Sequence, residues 1–327
     1  MPETKMLNYG GAINAALYRV LAELPGALVY GEDVAEPGGV FGVTKGLKRA
    51  YGARVFDTPI SESAILGSAL GAAMFGMRPI VEIMWADFSL VALDQVVNQI
   101  ANARYISRGE VGAPLVIRTQ QGNAPGACAQ HSQCLEAFFL HTPGLRVVMP
   151  STAQDAFDAV LTAAHSDDPV LVIENRTLYQ SEKVEVAVEG PVRELGGSVL
   201  RRSGDDVTIV SWGAITRRVE AAADTAAAQG VGVDVIEARW LNPFDLASLL
   251  ESVRRTRRLI VAHEANVTGG FGGEVVALVA ENGVALDAAP LRLGLPDLRV
   301  PAAPALVEAV FPQADDVLEA ILKLAAT

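Results

Sequence analysis

From residue 9 to 24 apolar side chains return every three or four positions and Pro25 stops the pattern, which predicts a helix followed by a break. ALVYGEDV then reads as a strand entering an acidic turn, and the loop EPGGVFGVTKGL carries Gly38, Gly39 and Gly42. A helix over 44–51 leads to a short strand at Val55 and Phe56, a turn containing Pro59, and a helix starting near Ser61. Beyond it, RPIVEIMW is a strand and FSLVALDQVVNQIANARYISRG has the spacing of one long amphipathic helix. APLVIRT is a further strand, and the polar loop QQGNAPGACAQHSQ follows it. LEAFFLHTPGL, RVVMPST, AQDAFDAVLTAAHSDD and PVLVIEN then alternate helix and strand, the signature of a parallel sheet.

That regularity fails between residues 177 and 202, in short polar and glycine-containing pieces, and resumes with DVTIVSWG, GVDVIEARWL, RLIVAHEA and GGEVVALVAENG. The expected architecture is two parallel-sheet α/β domains, over residues 1–185 and 203–327, joined by a linker at 186–202. A length of 327 residues with half of them hydrophobic is enough for two cores. A mean hydropathy of +0.29 adds the expectation that surface is buried against other subunits.

Charge removes some classes of function. A net charge of −12 argues against nucleic acid, which calls for a basic stripe. The one basic run, Arg254, Arg255, Arg257 and Arg258, reads as a solvated helix end. Cys128 and Cys134 match no zinc or redox spacing and fit a reducing compartment. No segment offers ~18 uninterrupted apolar residues, and the start has neither a signal-peptide nor a transit-peptide pattern. These features lead to the expectation of a cytoplasmic protein, or one trimmed of its leader, without membrane contact.

Within the predicted elements few residues carry chemistry. Glu62 is the one acid at the mouth of an otherwise apolar helix. It is either a helix-start carboxylate favoured by the helix dipole or a catalytic acid whose pKa is raised by small apolar neighbours. His131 sits in AQHSQ among hydroxyl and amide groups that could fix its tautomer, or is simply a hydrogen-bonded loop histidine. VTGGFGGEVVALVA follows a strand and opens a helix, so it is either a turn or a phosphate site, although it lacks the G-x-G-x-x-G spacing. The phosphate-binding G-x-x-x-x-G-K-[ST] loop and the G-x-S-x-G nucleophile elbow do not occur. Phe88, at a helix start directly after a strand, carries no claim by itself.

GEDV, GGVF, TKGL, RVFDTPISE, RPIVEI, LDQVVNQ, AQHSQ, PGL, DVTIVSWG, HEA and GLPDLRVP occur in one order along essentially the whole chain. In that order the chain resembles the beta subunit of the thiamine-diphosphate-dependent dehydrogenase component of 2-oxo acid dehydrogenase complexes, the pyruvate, branched-chain 2-oxo acid and acetoin group. The resemblance implies an amino-terminal domain that binds the cofactor's aminopyrimidine and a transketolase-like carboxy-terminal domain. It implies that Glu62 hydrogen-bonds the pyrimidine nitrogen N1' and exchanges a proton with it, that Phe88 packs on the pyrimidine, and that His131 assists acyl transfer to the lipoyl arm of the acyltransferase core. It further suggests a structural potassium ion on the loop from 163 to 168, with Ala164, Ser166 and Asp168 as its residues, although HSDDP departs from the family pattern.

The family's diphosphate and magnesium site uses a GDG motif, and none occurs in this chain. The resemblance therefore implies that an alpha subunit holds most of the magnesium diphosphate, in an α2β2 heterotetramer. The expected activity is oxidative decarboxylation of pyruvate or a branched-chain 2-oxo acid with acyl transfer to lipoamide. An acetoin dehydrogenase beta subunit is the alternative. Readings of other classes are a non-catalytic scaffold docking the acyltransferase core, and a nucleotide-binding module resting on VTGGFGGE.

Overall fold

The computed structural model describes residues 3–123 and 126–327. It divides into two compact units, one comprising the chain up to Gln121 together with Phe138–Leu195, the other Gly122–Ala137 together with Gly196–Thr327. Its strands are β1 (Thr4–Leu7), β2 (Ala27–Gly31), β3 (Val55–Asp57), β4 (Arg78–Ile83), β5 (Val116–Gln121), β6 (Arg146–Val148), β7 (Val170–Asn175), β8 (Val184–Ala187), β9 (Val199–Arg202), β10 (Val207–Ser211), β11 (Val233–Glu237), β12 (Trp240–Asn242), β13 (Leu259–Asn266) and β14 (Leu291–Leu295). The α-helices are α1 (Tyr9–Glu23), α2 (Leu47–Tyr51), α3 (Glu62–Met74), α4 (Ala86–Ser89), α5 (Ala103–Ile106), α6 (Glu136–Leu140), α7 (Ala153–His165), α8 (Ile215–Ala228), α9 (Leu246–Thr256), α10 (Gly272–Glu281), α11 (Pro304–Val310) and α12 (Ala314–Ala325).

In the first unit, strands pair in the order β6-β7-β5-β4-β2-β3, every pair parallel. Parallel strands covered on both faces lie out of water along their length, as β5 and β7 do. α1 and α7 pack on one another and bury Ile13, Leu17, Val20, Phe157, Val160 and Leu161. Each such side chain contributes roughly 1.5–3 kcal/mol relative to an exposed one. Asn8 caps α1 by accepting from the Gly11 amide at 2.8 Å, and Thr152 caps α7 through the Asp155 amide at 3.2 Å.

Two local expectations need correction. The helix expected over 44–51 begins only at Leu47, because Gly46 takes a left-handed conformation at φ 84° and turns the chain there. The long helix expected after β4 is a succession of short pieces: α4, a 3-10 turn at Leu90–Ala92, a π-helical stretch at Gln95–Ile100, and α5. The Ala101 amide reaches back five residues to the Val96 carbonyl at 3.0 Å, and the Asn102 side chain donates to the carbonyls of Val97 and Asn98 at 3.3 and 3.2 Å. A side-chain amide competing for these carbonyls favours the wider turn over a regular helix.

The second unit carries a sheet in the order β14-β13-β10-β11-β9, parallel except for the β9 edge. Val207, Ile209, Val235 and Ile260 from its strands pack with Val219 and Ala223 of α8 and Ile321 of α12. Among the described residues no helix is long and apolar enough to cross a membrane.

Candidate active site

Parallel pairing sends the carboxyl ends of β3, β2 and β4, three neighbours in the sheet, to a single edge. In open parallel sheets that edge is where ligands are received. β3 runs through Thr58 into Glu62, β2 runs directly into Glu32, and β4 runs through Trp85 into α4 and Phe88. Glu62 and Phe88, two of the sequence-predicted site residues, are thus brought to one edge by strands that both neighbour β2.

Glu62 opens α3 and is 8% exposed. The Thr58 hydroxyl on the approach to it is buried with no hydrogen-bond partner. Glu32 was not singled out in the sequence, although the acidic turn of GEDV marks its place. Burial lifts its carboxyl above the ordinary glutamate range, and the negative charges of Glu62, Asp33 and Glu82 add to the effect. Gly31 brings β2 close to β4 at this point, since a Cβ there would lie 2.6 Å from the Glu82 carbonyl oxygen.

An aromatic wall stands beside Phe88, which is half-buried. The Trp85 amide donates to Gln120 Oε1 at 3.1 Å, and its ring meets Phe41 edge-on with centroids 5.0 Å apart. The Arg176 guanidinium lies 3.9 Å from the Trp85 ring centroid. Burial lowers the Arg176 pKa to about 10, against the opposing pull of Asp87 and Tyr179.

Beneath the edge lies a charge cluster that the sequence reading missed. Arg118 donates to Glu82 at 2.8 Å and to both carboxylate oxygens of Glu174 at 2.6 and 2.9 Å, and the Tyr179 hydroxyl donates to Glu174 at 2.5 Å. Burial raises the Glu82 carboxyl despite Arg118 beside it. Burial also works against the Arg118 charge, but the two carboxylates outweigh it and hold that charge firmly.

His131 belongs to the other unit, on the segment Gly122–Ala137, and is half-buried just after the short 3-10 turn at Cys128–Gln130. The loop of Ala164, Ser166 and Asp168 lies at the amino edge of the first sheet, away from Glu62. Arg78 donates to the carbonyls of Ala164 and Ser166 at 3.1 and 2.8 Å and to Asp167 at 2.6 Å. Arg104 takes the Asp167 carbonyl at 2.9 Å and Asp168 at 2.7 Å, and Arg146 reaches Asp168 at 3.3 Å. Three arginines thus engage oxygens of the loop on which a potassium ion is expected. Gly270 and Gly272 of VTGGFGGE, with Gly294 of β14, pack round a histidine: a Cβ on any of the three would come within 2.9 Å of the His263 ring.

The pattern described as transketolase, pyrimidine binding domain, matches residues 5–182, and that described as transketolase, C-terminal domain, matches residues 196–317. Over 98% of its length the chain is 41% identical to the pyruvate dehydrogenase E1 component subunit beta of Leifsonia xyli, covering 95% of that protein. It is 36% identical to the 2-oxoisovalerate dehydrogenase subunit beta of Bacillus subtilis, covering 98% of this chain and 99% of the relative. It is 39% identical to the acetoin:2,6-dichlorophenolindophenol oxidoreductase subunit beta of Cupriavidus necator, covering 95% of each. Among solved structures, a split-gene transketolase described as an inactive beta4 tetramer superposes with a TM-score of 0.80 at 25% identity, over 98% of this chain and 99% of that one. With both transketolase domains in order and such relatives matched nearly end to end, the chain belongs to the family of beta subunits of 2-oxo acid dehydrogenase E1 components.

Proposed function

We propose that this chain is the beta subunit of a thiamine-diphosphate-dependent enzyme that oxidatively decarboxylates pyruvate or a branched-chain 2-oxo acid and passes the acyl group to lipoamide. The observation that carries the reading is the delivery of Glu62, Glu32 and Phe88 to one sheet edge by three adjacent parallel strands. A buried carboxylate, a hydroxyl in want of a partner and an aromatic face suit a nitrogen heterocycle such as the aminopyrimidine.

When bound, thiamine diphosphate supplies a carbon nucleophile and an electron sink for decarboxylation. Glu62 holds and returns a proton at the pyrimidine nitrogen N1'. Glu32 places a second acid at the same edge, its carboxyl raised above the ordinary glutamate range first by burial and then by the negative charge of Glu62. Phe88 orients the ring by packing on its face. His131 serves the transfer step, in which the acyl carbon gives up two electrons, the lipoyl S–S bond breaks, one sulfur takes the acyl group and the other takes a proton. An imidazole can carry that proton near neutral pH.

The magnesium diphosphate half of the cofactor is held mainly by an alpha subunit in an α2β2 assembly, and the lipoyl acyltransferase core is the acceptor's carrier. Exposed apolar residues around α3, notably Phe75 at 92% and Ile60 at 81%, support a subunit covering this face. A structural potassium ion on the loop of Ala164, Ser166 and Asp168 would share its oxygens with Arg78 and Arg104. Glu62→Gln, assembled with the alpha subunit, is expected to lose at least ~100-fold in turnover, the scale of a general acid–base group, with the assembly intact by gel filtration. Turnover equal to the unaltered enzyme would overturn the role given to Glu62.

A further inference from the structure

The segment that carries His131 is continuous in sequence with the first sheet, yet it packs as part of the second unit. Side-chain bonds on the carboxyl side of His131 help to hold it there. Gln133 accepts from Arg299, which follows β14. Buried Glu136 accepts from Trp212 Nε1 at 3.2 Å, and Trp212 directly follows β10.

Trp212 is itself locked. Its ring stacks on His263 of the adjacent strand β13, with centroids 5.3 Å apart and planes 18° apart, and meets Phe271 at 5.7 Å. Phe271 in turn meets Phe244 edge-on at 5.6 Å. His263 Nδ1 lies 3.1 Å from the Ala265 carbonyl, and Gly270, Gly272 and Gly294 close round its ring. The glycine-rich stretch that could have been a phosphate turn therefore builds the floor under Trp212. In this unit the carboxyl edge of the sheet, where a parallel fold ordinarily receives a small molecule, receives a loop of its own chain.

We propose that Trp212 and Arg299, through Glu136 and Gln133, are positioning residues that clamp the His131 segment for transfer of the acyl group to the lipoyl arm. The link to transfer rests on the role given above to His131; the clamp does not. Held within a well-packed wall, the segment presents its imidazole in one place instead of sampling many, and this kind of fixation raises the rate of a step between two bound groups.

Hydrogen exchange and catalysis separate the two claims. In the assembled enzyme, Trp212→Phe removes the N–H while retaining a ring for the stack, Glu136→Leu removes the acceptor, and Glu136→Gln keeps an acceptor oxygen. Arg299→Met tests the second, exposed contact should a Trp212 variant fail to fold. Amide exchange over residues 126–135 is expected to quicken about tenfold in Trp212→Phe and Glu136→Leu, through more frequent local opening, and to stay near the native rate in Glu136→Gln. In the same two variants the ratio of lipoyl-domain acylation to dichlorophenolindophenol reduction is expected to fall, as in His131→Ala, and Trp212→Phe should add little to His131→Ala in the double variant. Unchanged exchange in both Trp212→Phe and Glu136→Leu would overturn the clamp; faster exchange in them with both activities falling at a constant ratio, where His131→Ala lowers that ratio, would overturn its link to transfer. A constant ratio in His131→Ala alongside faster exchange in the clamp variants would overturn the role of His131 and leave the clamp standing.

Discussion

Arg118 shows most plainly how one residue serves both stability and site. Its guanidinium ties β4 to β7 across β5 through Glu82 and Glu174, with all three groups out of water. Removing the cation leaves two carboxylates buried without compensation. Arg118→Met is therefore expected to cost about 3–5 kcal/mol in urea unfolding at neutral pH, and an unchanged midpoint would contradict this account. The cluster was not legible in sequence because Glu82, Arg118 and Glu174 lie far apart along the chain, in the separate strands RPIVEI, VIRTQQ and VLVIEN. The register that sets Glu82 opposite Arg118 brings them together. A charge of either sign inside neighbouring buried strands was the available signal. Glu62 was legible at once, as the sole acid at the mouth of a helix of small apolar residues. Glu32 was not, since its meaning depends on β2 lying between β3 and β4.

Among the elements, strands were legible and helix interiors less so. The alternation of apolar runs gave the parallel strands, because a run buried on both faces has few other readings. The helix after β4 kept an amphipathic spacing while breaking into several pieces, since spacing reports which face is buried and not which carbonyl each amide takes. Caps are the more decisive local chemistry. Asp245 caps α9 by accepting from the Ser248 amide at 3.1 Å and from Ser198 N and Oγ at 3.0 and 2.8 Å. Burial pushes its carboxyl up, but these hydrogen bonds outweigh burial and hold it below the ordinary aspartate range. A carboxyl lowered on folding contributes stability that is present above its unfolded pKa of about 3.9 and is lost as pH falls through the folded value. Asp245→Ala is expected to cost about 1 kcal/mol at pH 7. The gap from the native protein should close in acid below that range, as followed by thermal unfolding across pH. A gap that widened in acid would contradict the sign.

At the scale of the whole molecule, motif order gave the family and both transketolase domains, and the relatives matched nearly end to end bear that out. The placement of residues 122–137 was beyond sequence reading: chain continuity assigns them to the first sheet, whereas Trp212 and Arg299 hold them in the second unit. On the proposed reading the chain supplies the pyrimidine-side chemistry through Glu62 and Phe88, and its sequence lacks the GDG motif expected of a magnesium diphosphate site. A cofactor divided in the proposed way would tie catalysis to assembly. The direct measurement is calorimetric titration of thiamine diphosphate with magnesium into this chain alone and into its co-expressed complex with the alpha subunit. The account predicts saturable binding in the complex and none in the chain alone; tight binding by the chain alone would contradict it.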